Sequence, residues 1–276
     1  MEETLKNALA NDKLVEYLKN RNHNSFKFYS SDERIEAIAT QRFLYLSDGQ
    51  HWNDKNDRKL FNNDSLDVKN FGLCFSFSRS ENIALWMLYG GTKKNGALIN
   101  LTKSIFNSYS QNKPPIKLGY FIGDKFQESI EVPPEDYNID FWDVLYYGKK
   151  KETDINYSIK HSTENCNDVD FDKFNKTVFL KKDYAWSYEN ETRLVVSVRK
   201  KLLNNSNINT VQLPIPKQYS TQYLQERIVL APNYSGAKKY RKSKLSSELD
   251  WDLCKDCDKV CTFTECEHHS KNKKEE

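Results

Sequence analysis

Trp186, Glu189, Glu191 and Arg193 fall within eight residues, and the chain then runs into Leu194, Val195, Val196 and Val198. The apolar run reads as a buried strand. Carboxylates two apart on an extended segment face the same way, so Glu189 and Glu191 are expected side by side at its mouth. Two like charges there repel, and one pKa rises unless a cation or a bound substrate offsets the pair. That cost makes them candidates for acid–base or electrostatic chemistry. The plainer reading is a surface ion-pair ladder of Glu189, Glu191 and Arg193.

A second group lies near the C-terminus. Cys254 and Cys257 have the two-residue spacing of a zinc half-site, and Cys261, Cys266 and His268 follow. Such a set could supply four ligands to a structural zinc ion, with no position left open for chemistry. Loose thiols are the alternative. Just upstream, Lys238, Lys239, Arg241, Lys242 and Lys244 form a basic run. It reads either as a solvated face or as a phosphate-contacting patch for nucleic acid. Other chemistries lack their signatures. There is no glycine-rich phosphate loop and no nucleophile elbow. The histidines, at 23, 51, 161, 268 and 269, fall in no recognisable triad order.

The elements that must position these residues are short. Phe26–Tyr29 reads as a strand, followed by a helix capped by Ser30 or Ser31 that turns Ile35, Ile38 and Ala39 inward. Phe43–Leu46 is a second strand and the polar stretch 51–67 a loop. Residues 71–78 alternate, with Phe71, Leu73, Phe75 and Phe77 on one face and Cys74, Ser76 and Ser78 on the other. A short helix with Ser80 as its cap is expected to run to Tyr89. Strands follow over 96–101, 117–122 and 144–147, with a helix over 102–109. A helix over 171–182 is expected to lead into the acidic motif, and the late strands cover 211–215 and 227–231. Short strands mixed with short helices argue α+β.

Composition narrows the class further. Only 38% of the 276 residues are apolar and 29% are charged, but 13% are aromatic, which predicts an aromatic-rich core. A net charge of +3 does not by itself imply a nucleic-acid partner. No segment approaches the roughly 20 apolar residues that cross a bilayer. Residues 3–20 read as an amphipathic helix, and Met1–Leu18 has no signal-peptide core, so no membrane partner and a cytoplasmic chain are expected. Clustered cysteines in that compartment favour metal over disulfide.

Taken in order, Phe28-Tyr29, Phe43–Ser47, Trp52–Asp54, Leu73–Ser76, Leu85-Trp86, Tyr89, Gly96, Lys182, Trp186–Arg193 and Ile228–Leu230 resemble a bacterial family known as domain of unknown function 2971. Its layout is similar to that of the ADP-ribosyltransferase superfamily. The resemblance implies a mixed, mainly antiparallel split sheet with short flanking helices, plus the small Cys-rich tail. It divides the chain into an N-terminal helix over 1–25, an ADP-ribosyltransferase-like domain over 26–235, and a basic, Cys/His-rich segment over 236–276.

It also implies NAD as a substrate and a nucleic acid or protein as acceptor. Glu191, Glu189 and Ser76 become catalytic candidates, and Tyr29, Lys27, Trp86, Tyr89 and Arg193 candidates for holding NAD. Many members carry Arg or His at the early position, where this chain has Lys27 and Tyr29; Arg42 and Arg79 are nearby cations for that place. A toxin or phage-defence effector is the implied role. The alternatives are a plain NAD glycohydrolase and a non-catalytic module that binds nucleic acid or a partner.

Overall fold

The computed structural model describes residues 23–52, 54, 55, 57, 58, 68–78, 81–90, 95–147, 181–203 and 207–245. The N-terminal helix expected over 3–20, most of the helix expected over 171–182, and the Cys/His cluster lie outside them.

Strand β1 (Ser25–Ser31) runs directly into helix α1 (Asp32–Gln41). Ser31 is the cap, its hydroxyl accepting from the Arg34 N–H, and Ile35, Ile38 and Ala39 are buried as their spacing predicts. The helix stops at Arg42, which takes the left-handed conformation at φ 61°. Strand β2 (Phe43–Ser47) and the long strand β3 (Val68–Ser76) follow.

The next segment departs from expectation. Asn82, not Ser80, caps a helix of only three residues, α2 (Ile83–Leu85), and the chain then widens into a π-turn over Trp86–Gly90. Strand β4 (Gly96–Thr102) leads into α3 (Lys103–Gln111). Beyond it stand β5 (Ile116–Ile122), β6 (Lys125–Val132), β7 (Tyr137–Asp143) and β8 (Leu145–Tyr147). Strands β6 and β7 had no clear sequence signal. β6 reads KFQESIEV and is buried only at Val132, so it carries little apolar alternation.

Lys181–Asp183 forms a strand, β9, where a helix end was expected. A 3₁₀ segment (Tyr184–Glu189) precedes β10 (Glu191–Arg199). The remaining elements are β11 (Thr210–Pro214), α4 (Thr221–Gln225), β12 (Ile228–Leu230) and β13 (Arg241–Lys242).

Among the described residues, all strands except the β8–β9 pair join one open sheet, and only β12–β13 and β8–β9 pair in parallel. The architecture is therefore α+β, with a mixed, mostly antiparallel sheet. Its centre is β3. Strand β10 pairs with β3 along all nine residues, from Glu191 opposite Ser76 to Arg199 opposite Val68. The other edge of β3 is shared. β1 meets it at Lys27–Ser76 and β2 meets it at Ser47–Gly72. Two strands on one edge must diverge, and between those two contacts the edge of β3 opens into a fork.

One face of the sheet is closed by α3 and a ring cluster. Phe106 of α3 stacks on Phe141 of β7 at 3.9 Å, and both meet Phe26 and Phe75 edge-on or nearly so. The edge-on arrangement is one that the ring quadrupoles favour. The aromatic core expected from composition is thus built at the junction of β1, β3 and β7.

Candidate functional site

The fork holds a cavity of about 420 Å³, within the roughly 300–1,000 Å³ usual for small-molecule sites. Its floor is the open edge of β3 from Gly72 to Ser76, and its walls come from β1 and β2. One end is acidic. Glu191, Ser76 and Lys27 stand in register across three adjacent strands, since Glu191 pairs with Ser76 and Ser76 with Lys27. Glu189 and Tyr89 line the same end.

Glu189 and Glu191 do meet, but not along one extended strand. Glu189 ends the 3₁₀ segment, Asn190 turns the backbone at φ 44°, and Glu191 opens β10. Asparagine suits that left-handed conformation better than a branched residue does. Both carboxylates are buried, at 5% and 3% exposure, so a surface ladder is ruled out.

The pair is embedded in ion pairs. Arg193 Nε donates to Glu191 Oε1 at 2.6 Å, and its Nη2 donates to Asp57 Oδ2 at 2.6 Å. Lys182 Nζ donates to Glu189 Oε2 at 2.6 Å and to Glu191 Oε2 at 3.0 Å, and lies 3.6 Å from Asp57 Oδ2. The Tyr89 hydroxyl donates to Glu189 Oε1 at 3.0 Å. Lys182 also sits 4.8 Å from the centre of the Trp186 ring.

Three buried carboxylates thus share two cations, and the two glutamates respond differently. Burial disfavours ionised Glu191, but the Arg193 and Lys182 charges outweigh it and hold this carboxyl well below the usual glutamate range. Burial and then the Glu191 charge push Glu189 upward, against the pull of Lys182 and Tyr89. Burial also raises Asp57, despite Arg193. Lys182 is raised: burial opposes its charge, but Glu191 and Glu189 prevail. The Cys74 thiol is pushed well up by burial and by Glu191.

The other predicted residues divide. Lys27 lines the cavity, its ammonium donating to the Ser78 carbonyl. Tyr29 lines it as well, its hydroxyl accepting from the Asn82 N–H at 3.1 Å. Trp86 does not serve as a stacking surface. It is 1% exposed, packs edge-on against Tyr29 and gives its indole N–H to Glu81. Arg193 is fully buried behind Glu191, so it positions that carboxylate and does not face a ligand. Arg42 donates to the Pro216 carbonyl, away from the cavity wall. Arg79 and the five proposed zinc ligands, Cys254, Cys257, Cys261, Cys266 and His268, lie outside the described residues. Among the described residues no group of His, Cys, Asp and Glu is arranged to hold a metal ion.

Sequence reasoning missed Asp57 and Arg34. Asp57 sits in a polar stretch with no periodicity to mark it, and only the fold carries it to Arg193. Arg34 lies on the helix whose Ile35, Ile38 and Ala39 face alone stood out in the sequence, yet it lines the cavity.

A mostly antiparallel open sheet with a forked central edge and a buried acid–cation cluster defines the class of molecule. A family described as protein of unknown function, DUF2971, matches over residues 85–194, less than half of the chain. The match takes in Tyr89, Lys182, Glu189, Glu191 and Arg193, and leaves β1 and β3 outside. No curated protein and no solved structure matches the chain. No helix among the described residues is long and apolar enough to cross a membrane.

Proposed function

We propose that the cavity binds NAD and that the acid pair cleaves its nicotinamide–ribose bond, passing ADP-ribose to a nucleic acid or protein acceptor. One observation carries this reading. Two neighbouring carboxylates at the end of one cavity are driven apart in proton affinity, Glu191 toward the anion and Glu189 toward the acid. Opposed shifts of this kind mark separate roles in acid–base chemistry.

In this reaction the bond between ribose C1′ and the nicotinamide nitrogen breaks, and its electron pair leaves with nicotinamide. The sugar becomes oxocarbenium-like, and the fixed negative charge of Glu191 stabilises it. Ser76, opposite Glu191 in register, orients the ribose hydroxyls. The acceptor then attacks C1′ and gives its proton to Glu189, which must be ionised at that moment. Tyr89 and Lys182 hold Glu189 in place. Where water is the acceptor, the same steps amount to NAD hydrolysis. The toxin or antiviral effector role is part of this proposal and rests on the family resemblance alone.

The test uses NAD labelled in the adenylate phosphate, incubated with the full chain and mixed nucleic-acid and protein acceptors. Glu191→Gln is expected to cut nicotinamide release about 100-fold or more, the scale of losing one electrostatic stabiliser. Glu189→Gln is expected to lose label transfer while retaining nicotinamide release to water. Equal activity in wild type and both variants would remove the acid pair from the chemistry.

A second reading has its own observation: both Glu191 oxygens are already held by cations of the same chain. The cluster then serves as a scaffold, and the protein binds nucleic acid or a partner without catalysis. Lys239, Arg241 and Lys244 are exposed for this role, whereas Lys238 is paired with Glu36 at 2.5 Å. Nucleic-acid binding that weakens with salt, is lost on charge reversal of Lys239 and Arg241, and comes without any NAD turnover would favour it.

A further inference from the structure

We infer that Arg34 and Ser30 form a phosphate subsite at the end of the cavity away from the acid pair. Both residues line the cavity wall. Arg34 is the third residue of α1, inside its first turn, where the helix dipole disfavours a cation. Asp32 and Glu36 of the same helix are engaged elsewhere, and Glu33 in its first turn makes no ion pair with it. Asp32 accepts from the Tyr234 hydroxyl at 2.7 Å, and Glu36 takes Lys238 and the Tyr240 hydroxyl. Among the described residues no carboxylate pairs with the Arg34 guanidinium. It is exposed and lies 5.4 Å from the centre of the Phe28 ring, which also lines the cavity. A guanidinium resting on a ring keeps its edge donors free, and its planar fork matches phosphate.

Ser30 supplies a second donor. It is half-buried, and its hydroxyl has no hydrogen bond among the described residues. It stands two residues from Phe28 along β1, on the same side of the strand, and four before Arg34. A strand rises about 3.3 Å per residue, so Ser30 lies roughly 10 Å along the wall from Lys27 and the acid end. The cavity is therefore polarised. It fits an elongated ligand with a phosphate at the α1 end and an uncharged or cationic group at the Glu191 end. A nucleotide phosphorylated at one end has this form. The inference rests on the cavity being a ligand site, as in the reading above, but on no turnover of NAD.

The test is calorimetric titration of the full chain with ADP, inorganic pyrophosphate and adenosine, at low and moderate salt. ADP is expected to bind, with affinity that falls as salt rises. Arg34→Ala should weaken ADP and pyrophosphate at least about tenfold, the scale of losing one charge-assisted contact, and leave adenosine unchanged. Arg34→Lys should recover only part of the loss, because the charge returns without the fork. ADP that fails to bind the wild type, or binds Arg34→Ala as tightly, would overturn the subsite. A protein inert toward NAD that still binds ADP through Arg34 would overturn the reaction and keep the subsite.

Discussion

Glu191 meets two requirements that pull against each other. As a buried carboxylate it needs cations, and Arg193 and Lys182 satisfy both of its oxygens. As a group facing a cavity it must still present negative charge. With Glu189 and Asp57 in the same cluster, three acids face two bases, so some acidity is left over for a ligand. The opposed shifts give a test by pH. Glu191 is depressed in the folded state, so its stabilisation is present above its unfolded value of about 4.3 and is lost as pH falls below it. Glu189 is raised, so its contribution has the opposite sign: it is present at low pH and lost as pH rises through the elevated folded value. In urea unfolding near neutral pH, Glu191→Gln should cost about 3–5 kcal/mol, as when one partner of a buried ion pair is removed. That gap to wild type should shrink as pH falls below the ordinary glutamate range. A gap independent of pH would mean that Glu191 is not held ionised by its neighbours.

At the scale of elements, the site depends on how the 3₁₀ segment enters β10. Asn190, at φ 44°, reverses the backbone for one residue, and this brings Glu189 and Glu191 onto the same cation, Lys182. The Asn190 carbonyl also accepts from the Phe77 N–H at 2.8 Å, which fastens the turn to the chain leaving β3. A β-branched residue cannot hold that conformation cheaply. Asn190→Val is expected to cost about 1–3 kcal/mol of stability and to abolish whatever ligand binding or turnover the cavity has. Asn190→Gly should retain both, since glycine accepts positive φ without strain. Thermal unfolding of the two variants checks the first part and ADP titration the second. The fork has an equally local cause. Because β10 covers one edge of β3 completely, β1 and β2 compete for the other, and the cavity is the space between their two contacts.

At the scale of the whole molecule, residues 234–242 close the structure over α1. Tyr234 and Tyr240 give their hydroxyls to Asp32 and Glu36, and β13 adds to the edge of β12. The basic run read from sequence is thus partly structural. Its Lys238 holds the helix that carries Arg34, so this segment bears on the geometry of the cavity from outside it. Tyr234→Phe would leave the buried Asp32 carboxylate short of a donor, at an expected cost of about 1–3 kcal/mol. The loss should appear as a lower unfolding midpoint in urea with an unchanged slope. An unchanged midpoint would mean that the closure contributes no stability.

The residues of α1 were legible in the chain because capping and helical period are local properties: Ser31 and the Ile35, Ile38, Ala39 face needed no other element. The same holds for β3, where alternation alone marked Phe71, Leu73 and Phe75 as inward. The acid pair was legible as a candidate because like charges packed this closely carry a cost that sequence already reveals. Its surroundings were not. Asp57 lies 136 residues from Arg193, and no pattern in a polar loop foretells that pairing. Strand β6 was hidden because an exposed edge strand has no apolar alternation to give it away. Short-range preferences in the chain determined elements such as α1 and β3 and which residue types could do chemistry. Only the tertiary structure decided that Lys27, Ser76 and Glu191 share one register and that Arg34 faces the same cavity, because those distances are set by long-range strand pairing.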